Sequence, residues 1–394
     1  MKFWDSEIVQ SEFNFDMGKK LLISNLDLLH GMSVEESTLY KKWSEFNDDL
    51  HTSMKRLPVL QSYFDTIWTP TNIMDKDLTI SEILSLQPYV ELTDDAVRWT
   101  DIRKLISSME FTANPGRNVK AFVKDRVSGK LLGVISLGSD VTSLGVRDKF
   151  IGWSKDNKFK DGKLNNTAIG TSIVPTQPLG FNFLGGKLVA ALTTSPVFRS
   201  EWETKYNNTL IAVGTTSLYG ASSQYNGIPH FKTLGESAGK VNIKPDDYYY
   251  NMFHKWLKET HSEWYKKNID DASLDKSGPV SGVKQKIIGK IFKECGIKND
   301  TYHHGFKRGV YFAPMYENGN QYLCSKIEVK DLVMKPKFIE GDDYTIRWWK
   351  DKAIKRYTTL HTENRLKDET LFYSNIIGMH WEDCKTKYLK DIGR

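Results

Sequence analysis

The sequence is poor in the features that usually announce a function. Its 394 residues include three cysteines, Cys295, Cys324 and Cys384, far apart and odd in number. That spacing offers neither a disulfide framework nor a paired-cysteine metal knuckle, and it predicts small buried thiols in a reducing compartment. No apolar run approaches the roughly 20 residues that a spanning helix needs, so no membrane partner is expected. The opening MKFWDSEIVQSEFNFD has no basic start and no continuous apolar stretch, unlike a secretory signal. The expected location is cytoplasmic. The HExxH zinc motif, the P-loop, the GxSxG nucleophile elbow and the zinc-deaminase signature are all missing. Their absence argues against zinc hydrolases, P-loop ATPases and serine hydrolases. No internal repeat, low-complexity tract or long linker is evident.

What is present is a mild excess of base and many aromatic residues. The chain carries 55 basic and 49 acidic residues, a formal charge of +6. It also has 11 Trp, 18 Tyr and 19 Phe. The charge permits a nucleic-acid partner. Aromatic faces fill cores, and they also stack on bases.

Periodicity predicts an α+β fold, a central mixed β-sheet domain with packed helices. A mostly helical N-terminal region flanks it on one side and a mixed helix-and-strand C-terminal region on the other. The segments are 1–113, 114–244 and 245–394. In the first, apolar spacing of three and four gives amphipathic helices. One break is expected near Pro58, and Thr79 and Ser81 are candidate caps. Asn114-Pro115-Gly116 marks the change. NVKAFVKDRVSGKLLGVISLGS then reads as a hairpin turning at Ser128-Gly129. FIGWS and AIGTSIVPTQPLG read as extended, Leu184–Leu192 as a helix, and TLIAVGTTSLYG as a strand covered on both faces. The small-residue stretch YGASSQYNGIPHFKTLGESAGK reads as a loop leaving that strand. Farther on, VSGVKQKIIGKIFKECGI reads as a basic helix closed by Gly296. GVYFAPMY and NGNQYLCSKIEV read as strands joined at Glu317–Asn320, and the last fifty residues read as helical.

Chemistry is expected between Gly116 and Gly239, where several groups stand out. Arg147-Asp148 precedes Ile151-Gly152-Trp153. A guanidinium forms paired hydrogen bonds with phosphates and base edges, and Trp153 can stack. The same residues also suit a structural ion pair and a core indole. Asp148, with Glu201, is a carboxylate placed to serve as a base. Gly180, Gly185, Gly186 and Lys187 stand near a helix start, where free N–H groups hold pyrophosphate; a tight turn against the sheet is the competing reading. Thr215, Thr216, Ser217, Tyr219, Ser223, Gln224 and Tyr225 concentrate hydroxyls, an amide and aromatics after a buried strand. They form either a substrate-binding loop or one stitched by its own side chains. Tyr302, His303, His304, Lys307 and Arg308 form a basic, aromatic loop. Neighbouring histidines on a strand point oppositely, so no metal site is expected there.

The run GKLLGVISLGSD, RDKFIGW, LNNTAIGTSIVPTQPLG, GGKLVAAL and TTSLYGASSQYNGIPHFKTLGESAG resembles the DruA family of the Druantia anti-phage system and its phage and mobile-element relatives. The resemblance covers about a third of the chain. It implies a phage–host context and DNA as partner, and assigns no reaction. A looser likeness joins the order of hairpin, strand, helix and strand to the GNAT-type acyltransferase fold, including the Mom DNA-modification enzymes. It implies acyl-CoA as cofactor, held through Gln177-x-x-Gly180 and Gly185-Gly186-Lys187, with Tyr219 as proton donor. Asn182 stands where that pattern has its next glycine. The leading expectation is therefore a DNA-acting protein, with Asp148 and Tyr219 as catalytic candidates. Arg147, Trp153, Thr216, Ser217, Ser223, Gln224, Tyr225 and Lys307 are its substrate-binding candidates. The alternatives are an acyl-CoA-dependent transferase acting on a nucleobase and a non-enzymatic phage protein that binds host proteins.

Overall fold

The structure, a computed structural model, describes residues 13–47, 50–111, 116–218, 223–237, 241–271, 283–298, 301–367 and 376–391. The chain forms two compact units, each built from separated stretches. One comprises residues 1–40 and 238–307, the other 41–237 and 308–394. The three contiguous segments read from the sequence do not follow this division, because strands distant in sequence complete the sheet of the larger unit. The α+β class itself is as expected.

The larger unit is built on a seven-stranded mixed sheet. Its strands are β1 (Pro88–Leu92), β2 (Asn118–Asp125), β3 (Leu131–Ser139), β4 (Thr167–Pro175), β5 (Ala212–Ser217) and β6 (Lys232–Glu236), with β9 (Gly309–Pro314) inserted between β5 and β6. β7 (Val241–Asn242) and β8 (His303–His304) pair separately in the smaller unit. From β1 to β4 the strands run antiparallel; β4 and β5 are parallel, and β5–β9–β6 are antiparallel again. The parallel pair requires a crossover, and the helices Gly185–Ala191 and Pro196–Tyr206 supply it. β3, LLGVISLGS, is buried on both faces, the expected condition for a near-continuous apolar strand.

The β2–β3 hairpin turns where expected. Gly129 takes φ +69°. The Asp125 carboxylate accepts from Gln87 N at 2.7 Å and from both Ser128 N and Oγ. Gly133 in β3 has a further role: a Cβ there would stand 2.6 Å from Val189 Cγ2 and 2.7 Å from the Val174 carbonyl. Only a residue without a side chain lets the Gly185–Ala191 helix lie on the sheet this closely. On that face Val119, Ala121, Ile135, Leu137, Val213, Phe183, Trp202, Trp349 and Tyr357 share one core.

Several local expectations change. FIGWS is not an extended run: Phe150 and Ile151 end the helix Gly145–Ile151, which left-handed Gly152 stops. Glycine supplies the helix stop there without steric cost. Pro58 lies inside the helix Leu50–Ser62. Asp75, not Thr79 or Ser81, caps the helix Lys76–Ser85, accepting from Leu78 N; Thr79 is buried within it. The stretch after Asn318 is the short helix Gly319–Leu323, not a strand. The small-residue stretch beyond β5 contains an edge strand, β6, and a turn that buries Tyr225 and Ile228.

In the smaller unit, Asp246 accepts from Asn25 Nδ2 and Tyr40 OH, both at 2.7 Å. The basic helix is Val283–Glu294, with Gly296 beyond it at φ +68°. Its Lys284 pairs with Asp247 and its Lys290 with Glu294. Among the described residues no helix is long and apolar enough to cross a membrane.

Candidate functional site

β4 and β5 stay together for three residue pairs, Thr167–Ala212 to Ile169–Gly214. Both then continue while parting. β4 runs on to Pro175 beside β3, and β5 to Ser217 beside β9. The parting coincides with a bulge in β4. Ser136 opposes Ser172 and Leu137 opposes Gly170, so Thr171 is the extra residue. A bulge bends its strand and raises the local twist, which carries β4 away from β5.

The loops leaving the two carboxyl ends are the two groups singled out in the sequence. From β5 comes the turn beginning at Ser223; Tyr219 and the residues through 222 lie outside the described residues. From β4 comes Thr176–Leu184, with a cis Gln177–Pro178 peptide. The fold brings the loops together. Gln224 Nε2 donates to the Ile173 carbonyl at 3.1 Å, which satisfies a backbone acceptor that the parting left open. Higher in the gap, Thr215 Oγ1 donates to the Gly170 carbonyl at 3.3 Å. Lys187 Nζ reaches the carbonyls of Gln224 and Asn226; burial, then the nearby Lys352, lowers its pKa. Tyr225 is buried, 5.2 Å from Tyr311 by ring centroids. Burial raises its phenol pKa, against the opposing effect of hydrogen bonds with Thr215 and Gln224. Thr216 is partly exposed and Ser217 buried; Ser223 is partly exposed, its Oγ accepting from Tyr225 N.

The rim of this end is basic and aromatic. The Arg356 guanidinium stands 5.3 Å from the centroid of the Phe181 ring, and the Lys367 ammonium 4.8 Å from it. Arg356 comes from the helix Asp342–Thr362. Its pKa is lowered by burial and then by Arg365, which pairs with Glu363. Asn182, where the acyltransferase pattern has glycine, is fully buried and clamps the rim. Its amide donates to Lys367 O at 2.6 Å and accepts from Lys367 N at 3.0 Å. Trp349 Nε1 donates to Phe183 O at 2.9 Å, and Tyr357 stacks on Phe183. Phe181, Lys352, Arg356 and Lys367 were missed in the sequence reading. The dense basic-aromatic run from Asp343 to Arg365 was the signal for Lys352 and Arg356, and nothing in it indicated which strand end it covers.

The Arg147 group is elsewhere and closed on itself. Arg147 is fully buried. Its Nη1 donates to Asp140 at 2.5 Å, Nη2 to Val141 O and Asp148, and Nε to Asp148. Asp148 spends its other oxygen on Lys158. The Trp153 indole donates to Leu323 O at 2.8 Å, with the guanidinium 5.1 Å from its ring. In this arrangement all three face protein partners. Lys307 is exposed and belongs to the smaller unit.

Two of the candidate cradle glycines are packed against protein. Gly185 and Gly186 are buried. A Cβ on Gly185 would meet Leu179 Cγ at 2.8 Å and the backbone of Leu179 and Gly180 at 3.0 and 3.1 Å; at Gly186 it would fall on Gln224 Oε1. They serve close packing, and Gln224 occupies the approach.

A family model described as Druantia protein DruA matches residues 56–325. The Druantia protein DruA of Escherichia coli (strain UMEA 4076-1) is 25% identical over 305 residues, 68% of this chain and 72% of that protein. No solved structure matches.

Proposed function

This chain belongs to the family of the Druantia protein DruA, and from that premise we propose that it is an anti-phage defence component that acts on DNA in the bacterial cytoplasm. The site is the end of the sheet where β4 and β5 part. Ligands of open α/β sheets gather outside the carboxyl ends of parallel strands, where the connectivity switches. One observation carries the reading: two cations, Arg356 and Lys367, stand beside the Phe181 ring at that end. Cations hold phosphates and set register, and an aromatic side chain offers a face to a base. The test is the full chain purified at low salt, assayed on single- and double-stranded DNA across a salt series. Binding that weakens steeply with salt supports the reading. Absence of binding at low salt, with proteins retained instead, moves it to a protein-binding role.

A second reading is acyl transfer from acyl-CoA to a nucleobase. The order β4, helix, parallel β5 favours it. The buried Gly185 and Gly186 and the overlying Gln224 oppose it. Mass spectrometry of the purified protein for retained acyl-CoA tests it.

A further inference from the structure

A cavity lies on the other face of the sheet, away from the rim around Phe181. Successive side chains on a strand point to opposite faces. Val119, Ala121 and Ile135 enter the core, so Asn118, Lys120 and Ser136 point away from it. The β4 bulge adds Thr171 and Ser172 to the same wall. Phe111, with Thr93, Asp94 and Ala96 at the start of the helix Ala96–Ile106, completes a half-open pocket of about 340 Å³.

Its chemistry is divided. Lys120 and Lys205 bring two ammonium groups to the lining. Lys120 Nζ lies 5.0 Å from the Trp99 centroid, and burial lowers its pKa. Lys205 Nζ reaches the Asn118 carbonyl at 3.5 Å. Between the strands runs a row of polar groups. Thr171 Oγ1 donates to Ser136 Oγ at 3.1 Å, and Ser136 Oγ to Asn118 Oδ1 at 3.3 Å. Phe111 supplies a flat wall and Asp94 one carboxylate.

The wall is braced from behind. Glu45 accepts from Phe111 N at 2.9 Å and from the buried Lys42 at 2.7 Å. Arg103 holds Ser172 Oγ and, at 2.6 Å, the Met109 carbonyl. A simple anion would match the lysines and leave the hydroxyl row and Asp94 idle. A neutral sugar would leave two ammonium groups unmatched.

We infer that this cavity takes a single nucleotide, with its phosphate at Lys120 and Lys205 and its base and sugar on Phe111, Asp94 and the Asn118–Ser136–Thr171 row. The volume is near the lower end of the roughly 300–1,000 Å³ of ligand pockets, which suits one nucleotide and not a strand. The nucleotide is either free or turned out of a DNA strand. The second source rests on the DNA-acting reading; the first does not.

The test is calorimetry on the full chain with the four deoxynucleoside 5′-monophosphates, the matching nucleosides and inorganic phosphate. A parallel titration uses a single-stranded oligonucleotide carrying 2-aminopurine. At least one monophosphate binds more tightly than its nucleoside and than phosphate. Lys120→Gln and Lys205→Gln each weaken it about ten-fold, the loss of one charge-assisted hydrogen bond, with the thermal midpoint unchanged. The inference is overturned if no monophosphate binds, if phosphate alone binds as tightly, or if both lysine variants bind as the parent does. Emission that rises with the oligonucleotide and is lost in Lys120→Gln assigns the nucleotide to a strand; monophosphate binding without that rise assigns it to the free pool. Monophosphate binding with no DNA binding at all overturns the DNA reading and leaves the cavity standing.

Discussion

Gln224 lies over Gly186 so closely that a methyl group on Gly186 would displace the Gln224 amide. The same amide closes the gap between β4 and β5 through the Ile173 carbonyl. The neighbouring glycine meets a different obstacle, since a Cβ on Gly185 confronts backbone atoms of Leu179 and Gly180. A flexible side chain can swing away, but backbone cannot. Gly185→Ala should therefore cost about 1–3 kcal/mol, the usual range for overpacking, and Gly186→Ala clearly less. Denaturant midpoints of the two variants, with Gly186→Ala/Gln224→Ala as control, check the order. Equal losses would mean that Gln224 is held as firmly as backbone.

Arg147 was a candidate phosphate ligand, and the structure makes it the counter-ion of buried Asp140. Removing one partner of a buried pair strands the other charge. Arg147→Ala should destabilise by about 3–5 kcal/mol. Arg147→Lys should recover little, because an ammonium cannot replace the forked geometry. Urea unfolding measures both. A stable Arg147→Ala protein that has lost only DNA binding would restore the sequence-based role.

His230 gives the larger unit an acid limit. It is 2% exposed, and Nε2 pairs with Thr345 Oγ1 at 3.0 Å. Burial first, and Lys337 second, push its pKa from 6.5 down to about 4. Below pH 6.5 the unfolded chain binds a proton that the folded chain refuses until about pH 4. Stability from this residue is thus fully present above pH 6.5 and is lost as pH falls toward 4. The span is on the order of 3 kcal/mol at 1.36 kcal/mol per unit. Stability measured from pH 7.5 to 4.5 should fall more steeply in the parent than in His230→Asn.

The rim can be tested by charge. Arg356→Gln and Lys367→Gln should each weaken DNA binding and lower the steepness of its salt dependence by about one unit, whatever the sequence bound. Phe181→Ala should weaken single strands by about 1–3 kcal/mol and leave the salt dependence alone. Unchanged salt dependence in both cation variants would place the DNA elsewhere.

The sequence by itself determined the element types wherever periodicity was strong. The β2–β3 hairpin, β4, the crossover helix and β5 all stand where alternation, Gly129 and the apolar run at Leu210–Val213 put them. It misread FIGWS as extended because five residues are too few to separate a helical period from a strand's, and the stop signal, Gly152, suits either. It found the two loops that meet at the strand ends, because hydroxyl- and glycine-rich stretches after a buried strand are visible locally. Tertiary structure alone decided what those residues face. It closed Arg147 on Asp140 and Asp148, set Gln224 against Gly186, and brought Arg356 and Lys367 across more than 170 positions to Phe181. It also aligned Asn118, Ser136 and Thr171 across three strands. Local pattern follows from neighbours three or four residues away, whereas a site follows from strand register and the β4 bulge, which join residues that no short-range period connects.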